Sequence, residues 1–593
     1  MIRASKPALL IALLALLAAP LAFAAAPTAA VAPETAADEA ARPVWVFLAD
    51  KGAGEHDPGA MAAAAARLSP RALARRARVL PAGAVVGWRD LPLESRYLDA
   101  LAAAGFPVRA ESRWFNAVSV LAMPAGEARL AALPFVDRVE PVRASARYEP
   151  PVSPPRPGSR LPAPGSPYDA AGRYLGDRAG PREDPIDYGA SLAELTQINV
   201  PAVHQTGNHG EGVVVGMLDT GWNLAHDALA GVTVLGAWDF IQGDSVVANE
   251  PGEVDYQDAH GTMTLSTIAG NLPGELVGPA FGAAYYLAKT EDRSQEVPVE
   301  EDWWVAGIEW LESVGCDLVS SSLGYYDWYE FEDLDGNTAV TTVAADIAVG
   351  LGVVVVNSAG NSRQGFGHII APADGDSVLA VGAVDSAGVV TTFSSPGPTA
   401  DGRIKPDVVA RGLLNHVVDP TDPAGYLAAS GTSFACPLTA GVAALLLAAR
   451  PDATPMQVRD ALRETADRAD DPDNDYGWGL VDALAAVDYL VPTGAPPAAS
   501  APAAAIVGAW PNPFNPAARI AFRLGADGPA RLAVHDVRGR RVALLVDADL
   551  SAGDHAAVWD GRDGAGRPVA SGIYLARLEA AGATATRRLV LLK

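Results

Sequence analysis

Ser430-Gly431-Thr432-Ser433 opens directly into an apolar run, rich in Ala, Leu and Gly, that continues to Leu447. No other stretch restricts the fold so tightly. A small polar turn followed by apolar residues is how a helix starts, so a long buried helix is expected with Ser433 at its amino end. Unpaired backbone N–H groups and the positive end of the helix dipole can stabilise an oxyanion there. Ser433 is therefore a candidate nucleophile. The same four residues would also serve as a plain cap on a buried helix, and residues upstream decide between the two.

A nucleophilic serine needs a base, and the base needs an orienting carboxylate. Gly212 to Gly221 is an apolar run ending in Asp219-Thr220-Gly221. It reads as a buried strand with Asp219 at its carboxyl end, where sites form in open α/β sheets. Asp258-Ala259-His260-Gly261-Thr262 precedes an apolar helical run from Met263 to Ala269, which puts His260 at a helix start. A lone Asp at a strand end is usually a turn residue, and a lone His at a helix start is usually a cap. The chain order Asp, His, Ser is the informative part, because it is one of the recurring orders of this constellation.

These segments carry a family resemblance. D-T-G at 219–221, H-G-T at 260–262 and G-T-S at 431–433 resemble the three signatures of subtilisin-like serine proteases, the subtilases. The resemblance covers residues 188 to 488 with every motif in order. It implies an α/β fold, a subtilisin-like parallel sheet with helices on both faces. It also implies a Ser433–His260–Asp219 triad acting through an acyl-enzyme. Ser322-Leu323-Gly324 is similar to the family's segment that pairs with substrate backbone. Ser358-Ala359-Gly360-Asn361 is similar to its oxyanion loop, with Asn361 as the side-chain donor and Ser358, Ala359 and Gly360 beside the substrate. Three departures stand out: Met263 where the family often has a second His, Arg411 in place of a Pro, and Phe434 in place of a Met. None touches the triad. Tyr325, Tyr326 and the 327–337 insertion suggest a modified cleft.

The chain has 593 residues, 49% hydrophobic and 19% charged, with a net charge of −26. That length predicts several domains, and the charge argues against binding nucleic acid by charge attraction. Cys316 and Cys436 lie in apolar runs and read as buried free thiols rather than a disulfide. Arg3, Lys6, an apolar run from Ala8 to Phe23 and Ala22-Phe23-Ala24 read as a secretory signal over 1–24, so the protein is expected to be secreted or at the cell surface. Residues 25–42 read as disordered. No other stretch reads as long and apolar enough to cross a membrane.

Residues 43–147 alternate short strands and helices and resemble the inhibitory propeptide of subtilases. The alternative is an independent binding domain. Residues 148–187 are a Pro- and Gly-punctuated linker suited to maturation cleavage, 188–488 the catalytic domain, and 489–508 a second linker. Residues 509–593 read as a small β-sandwich of short alternating strands. P-N-P-F-N-P at 511–516, W-D-G-R-D at 559–563 and S-G-I-Y at 571–574 resemble the Ig-like domains called FlgD-like or type IX sorting domains, which implies attachment or secretion; the alternative is a spacer or a carbohydrate-binding module.

Expected partners are protein or peptide substrates and the chain's own propeptide, with no nucleic acid. No cofactor is expected to be required and no metal ligand is assigned. Asp471 to Gly477 has alternating carboxylates that either form a solvated acidic turn or hold a structural calcium; Asp255 and Asp258 raise the same question. The function expected is a secreted serine endopeptidase made as a zymogen. The alternative is an inactive subtilase-like adhesion protein. An esterase is disfavoured because Ser433 sits in G-T-S-F-A rather than G-x-S-x-G.

Overall fold

The computed structural model describes residues 41–52, 58–142, 186–491, 504–510, 514, 517–536, 538–580 and 583–591. The expected signal segment (1–24) and nearly all of 25–42 and of the 148–187 linker lie outside the described residues, as does most of 489–508.

Seven parallel strands form the central sheet, in the spatial order Val408–Arg411, Leu379–Val384, Val354–Ser358, Leu318–Ser321, Val214–Asp219, Ala284–Lys289, Thr233–Asp239. The five inner strands are the ones that the apolar runs Val213–Leu218, Tyr285–Ala288, Leu318–Ser321, Val353–Val356 and Val378–Val381 predict. The two edges are not, and the reason is physical. Thr233–Asp239 mixes exposed and half-buried residues up to a buried Asp239, so it lacks the continuous apolar run of a strand covered on both faces, and Val408–Arg411 has its short apolar run, Val408 to Ala410, bounded by Asp407 and Arg411.

Alternate residues of Val214–Asp219 feed two cores. Val215 and Met217 join the cluster containing the helices Ala259–Ala269 and Thr432–Ala449. Val214 and Leu218 join the cluster containing Val299–Val314 and Val340–Gly350. This is the two-layer cover that a parallel sheet requires. Thr432–Ala449 is long and apolar enough to span a membrane, contrary to the sequence reading. It is instead the core helix of this domain, buried along nearly its whole length. Cys316 and Cys436 are both buried free thiols.

From Val214–Asp219 the chain first builds the strands on one side, Thr233–Asp239 and Ala284–Lys289. It then crosses to Leu318–Ser321 on the other side and continues outward. The strand order therefore reverses between Asp219 and Ser321. A crevice opens outside the carboxyl ends of the strands at such a switch point.

Before this domain stands an antiparallel sheet in the order Val108–Ser112, Ala117–Ala122, Arg42–Leu48, Val136–Pro141. The helices Ser95–Ala103 and Pro124–Ala131 accompany it, and Leu101 and Leu130 reach its core. After the catalytic domain come a three-stranded and a four-stranded antiparallel sheet around one core that includes Phe514, Phe522, Leu532, Trp559 and Leu589. This is the expected β-sandwich, with one strand, Ala504–Trp510, that the sequence reading placed in the linker.

Candidate active site

Asp219 ends its strand buried in the crevice, and His260 is the second residue of the helix Ala259–Ala269. Gly261 allows the two to meet. A Cβ there would lie 2.1 Å from the Gly221 carbonyl oxygen, so only glycine lets this helix come so close to the Asp-Thr-Gly turn. His260 Nδ1 then lies 2.7 Å from Asp219 Oδ1, which also accepts the Thr220 N–H at 2.7 Å. The second carboxylate oxygen accepts the Thr264 hydroxyl at 2.9 Å. Thr264 was not singled out in the sequence, although its place one turn after His260 puts both side chains on one helix face. The His260 side chain is 27% exposed while that of Asp219 is 1% exposed, so the ring opens to the crevice and the carboxylate does not.

Ser433 sits in the first turn of Thr432–Ala449. Pro437, four residues on, has no N–H, so the Ser433 carbonyl lacks its helical donor. Ser322 Oγ supplies the missing bond at 2.9 Å, which fixes the helix start against the end of strand Leu318–Ser321. Cys436 Sγ adds a contact to the Ser321 carbonyl at 3.4 Å. Ser433 Oγ points to the Ser322 carbonyl at 3.4 Å, and a Ser433–His260 hydrogen bond is not among those the described residues make. The His260 ring stands 6.3 Å from that of Phe434, the next residue.

Asn361 is oriented by its carbonyl end. Its Oδ1 accepts the Thr432 N–H at 2.9 Å and the Thr432 hydroxyl at 3.1 Å, which leaves the Nδ2 amide to point elsewhere. Around the place where a Gly431 Cβ would stand lie Asn361 Nδ2 at 3.5 Å, Ser433 N at 3.6 Å and Ser433 Oγ at 3.7 Å. Two N–H donors and the hydroxyl thus border one small space, kept open because residue 431 has no side chain.

Sequence families account for all three parts of the chain. Residues 210–479 match the subtilase family (peptidase S8), 43–153 the peptidase S8 propeptide domain of Bacteroidota, and 512–584 the FlgD Ig-like domain. Subtilisin from Bacillus pumilus is 36% identical over 299 residues, 49% of this chain and 97% of the relative. The chain belongs to the subtilase family. Subtilisin E from Bacillus subtilis strain 168 is likewise 36% identical, over 49% of this chain and 70% of its own. In fold, this subtilase is similar to fervidolysin from Fervidobacterium pennivorans, with a TM-score of 0.52 and 20% identity over 91% of this chain and 70% of that one. It is a subtilisin-like serine endopeptidase with its propeptide domain.

The other expected site residues lie on the same rim. Ser322, Leu323 and Gly324 follow strand Leu318–Ser321, and the Leu323 carbonyl accepts Asn357 Nδ2 at 2.9 Å. Ser358 ends strand Val354–Ser358. Ala359 is tied to Val381 and Ile370 through its backbone, and the Gly360 carbonyl accepts the Ser395 N–H. Part of the 327–337 insertion packs inward, together with Tyr325 before it. Tyr325 is fully buried and stacks on Trp328, while Trp328 and Tyr329 hydrogen-bond buried Glu301. The bulky side chains pack inward, as aromatic residues with a polar tip do when the tip has a partner.

Tyr325 also donates to Glu291, whose carboxylate lies with those of Glu296 and Glu300 in one cluster, all within 4.8 Å of one another. Burial first raises all three, and a neighbouring carboxylate adds to it, Glu300 at Glu291, Asp327 at Glu296 and Glu296 at Glu300; Glu296 reaches about 7 and Glu300 about 9. In the 471–477 turn Asp473 and Asp475 are engaged by protein partners. Asp473 Oδ1 accepts the N–H groups of Asp475 and Tyr476, its other oxygen pairs with Arg468, and Asp475 pairs with Arg363. Asp258 accepts the Asn249 N–H, and Asp255 is exposed.

The propeptide domain lies against the helix Val299–Val314 of the subtilase. Ser119 donates to Asp302, and Ser112 with the N–H groups of Arg113 and Trp114 donates to Glu309. From the helix Pro70–Val79, Arg75 and Arg76 both pair with Glu312, all three side chains being at most 1% exposed. Arg75 also donates to the carbonyls of Glu312, Cys316 and Leu351, which cap the ends of two catalytic-domain helices.

Proposed function

We propose that this protein is an exported endopeptidase, made as a zymogen, that cleaves peptide bonds through an acyl-enzyme on Ser433. The observation that carries the reading is the His260–Asp219 hydrogen bond on the switch-point rim, beside a helix start that holds Ser433 next to Asn361. Ser433 Oγ leaves its contact with the Ser322 carbonyl and gives its proton to His260 Nε2 as it attacks the scissile carbonyl carbon. Asp219 holds the Nδ1–H tautomer and stabilises the imidazolium. The new oxyanion takes hydrogen bonds from Asn361 Nδ2 and the Ser433 N–H. His260 then protonates the leaving amine, and water repeats the sequence in reverse to free Ser433. Substrate backbone runs along Ser322–Gly324 and Ser358–Gly360.

In this reading residues 1–24 direct export, the propeptide domain holds the enzyme inactive until the linker at 148–187 is cut, and the Ig-like domain attaches the protein to a surface or a secretion system. A calcium ion is not needed for any step. The test is fluorophosphonate labelling of the processed protein beside Ser433→Ala, with casein hydrolysis in parallel. Both signals should appear in the wild type and vanish in the variant. A folded, processed wild type that neither labels nor cleaves would leave the adhesion reading in its place.

A further inference from the structure

The two oxygens of the Asp219 carboxylate are gripped from one helix. Oδ1 receives His260 Nδ1 at 2.7 Å and Oδ2 receives Thr264 Oγ1 at 2.9 Å. The donors are four residues apart on Ala259–Ala269, one turn of a single rigid element. The Thr220 N–H, from the strand side, completes the set on Oδ1. The Thr220 hydroxyl accepts the Gly261 N–H at 3.2 Å, and it is not among the donors that reach Asp219. Among the described residues, Thr264 is the donor that reaches Oδ2, in a place where Asp219 and Thr264 are both 0% exposed and bulk solvent does not reach.

We propose that Thr264 is a positioning residue for the hydrolytic reaction: its hydroxyl locks the plane of the Asp219 carboxylate against the His260 ring. A carboxylate held at one oxygen swings about its Cβ–Cγ bond. Held at both oxygens by one helix, it keeps its lone pair aimed at Nδ1 and keeps the imidazole in the tautomer that leaves Nε2 free to accept the serine proton. The hydroxyl has a second acceptor within reach, the Gly261 carbonyl at 3.0 Å, the ordinary helical partner of a threonine. One proton serves one of the two, and the charge on Asp219 makes the carboxylate the stronger acceptor. The hydroxyl also draws electron density toward Oδ2. Losing it concentrates charge on Oδ1 and stabilises the imidazolium, so the acidic limb of the pH–rate profile moves to higher pH.

This inference rests on the triad reading above, and the experiment separates the two. Thr264→Val, Thr264→Ser and Ser433→Ala are made in the full chain, and peptide hydrolysis by the processed proteins is followed from pH 5 to 10. Ser433→Ala reports on the triad: residual full activity would overturn that reading and this one with it. With Ser433→Ala inactive, Thr264→Val should lower kcat roughly tenfold with KM little changed. The acidic limb should rise by roughly half a pH unit. Thr264→Ser, which keeps the hydroxyl, should stay within about twofold of wild type. Unchanged kcat and pH profile in Thr264→Val, or equal losses in the Val and Ser variants, would show that the hydroxyl serves only the helix. A second readout does not need turnover. The low-field proton resonance of the His260 Nδ1–H should shift in the Thr264→Val/Ser433→Ala double variant relative to Ser433→Ala, and an unmoved resonance would sink the proposal.

Discussion

Asn361 shows how much of the chemistry is settled by single hydrogen bonds. Its Oδ1 is taken by two donors of Thr432, so the side chain has one orientation and its Nδ2 faces the space beside Ser433 N. In the proposed reaction a donor fixed beforehand needs no reorganisation when the oxyanion forms, and that is the source of the effect expected of Asn361. Asn361→Ala should lower kcat by roughly a hundredfold or more, about 2.7–4 kcal/mol, with KM nearly unchanged; the magnitude is that of subtilisin, a relative of this chain. Steady-state kinetics that show the loss in KM instead would place Asn361 in ground-state binding. Gly431 acts by what it lacks, since any side chain there would project between the two donors and Ser433 Oγ.

The helix Val299–Val314 is the element on which propeptide docking turns. Asp302, Glu309 and Glu312 are buried because the propeptide covers them. Burial pushes Asp302 up to about 7 from an ordinary 3.8, against the opposing effects of the Ser119 hydrogen bond and Arg109. Glu309 is raised as well, by burial first, while Glu312 is lowered overall because Arg75 and Arg76 outweigh its burial. The signs differ. A carboxyl raised in the docked state takes up a proton on docking, so its favourable contribution is full below its free value and is lost as pH rises through about 7. Glu312 contributes above its free value and loses that only in more acid solution. Between pH 5 and 8 Asp302 governs, with Glu309 shifted in the same direction, and the propeptide should bind the processed enzyme more tightly at pH 5 than at pH 8. Size-exclusion chromatography of the processed protein across that range measures the bound fraction. Asp302→Asn should flatten the dependence, and tighter binding at pH 8 would contradict it.

At the scale of the whole molecule the Ig-like domain meets the catalytic domain through a few charged pairs and through Ala521, which packs against the core that holds Trp304 and Val349. The charged contacts are long and partly exposed, Arg523 to Asp460 at 4.0 Å and Arg587 to Asp376 at 3.6 Å. A cavity of about 470 Å³ lies where this domain, the catalytic domain and the propeptide segment around Trp88 meet. Exposed pairs of this kind contribute about 0.2–1 kcal/mol each and weaken with salt. A chain ending at Val491 should therefore retain kcat/KM within about twofold and melt at nearly the same temperature, as calorimetry and peptide hydrolysis would show. A large loss of either would make the sandwich part of the enzyme's working structure.

Local chemistry made much of this legible in sequence. Apolar runs gave the five inner strands because a strand covered on both faces is mostly apolar, with polar residues such as Ser320, Ser321, Asn357 and Ser358 gathered at the carboxyl end. Strand-end Asp219, helix-start His260 and helix-start Ser433 were readable because each sits at a sharp change of pattern, and the Asn361 loop came with the family resemblance. Edge strands Thr233–Asp239 and Val408–Arg411 escaped because their burial is set by neighbours far along the chain. Thr264 escaped because a threonine inside an apolar helix carries no mark of the carboxylate it meets, 45 residues away. The inward turn of Tyr325, Trp328 and Tyr329 was hidden for the same reason: whether an aromatic lines a cleft or fills a core depends on what packs against it, here Glu291 and Glu301. The sequence by itself determined the order of the domains and the residue types that the chemistry requires. Tertiary structure alone decided which oxygen each donor reaches and which acids the propeptide buries, because hydrogen bonds and burial depend on distances that only the packed chain sets.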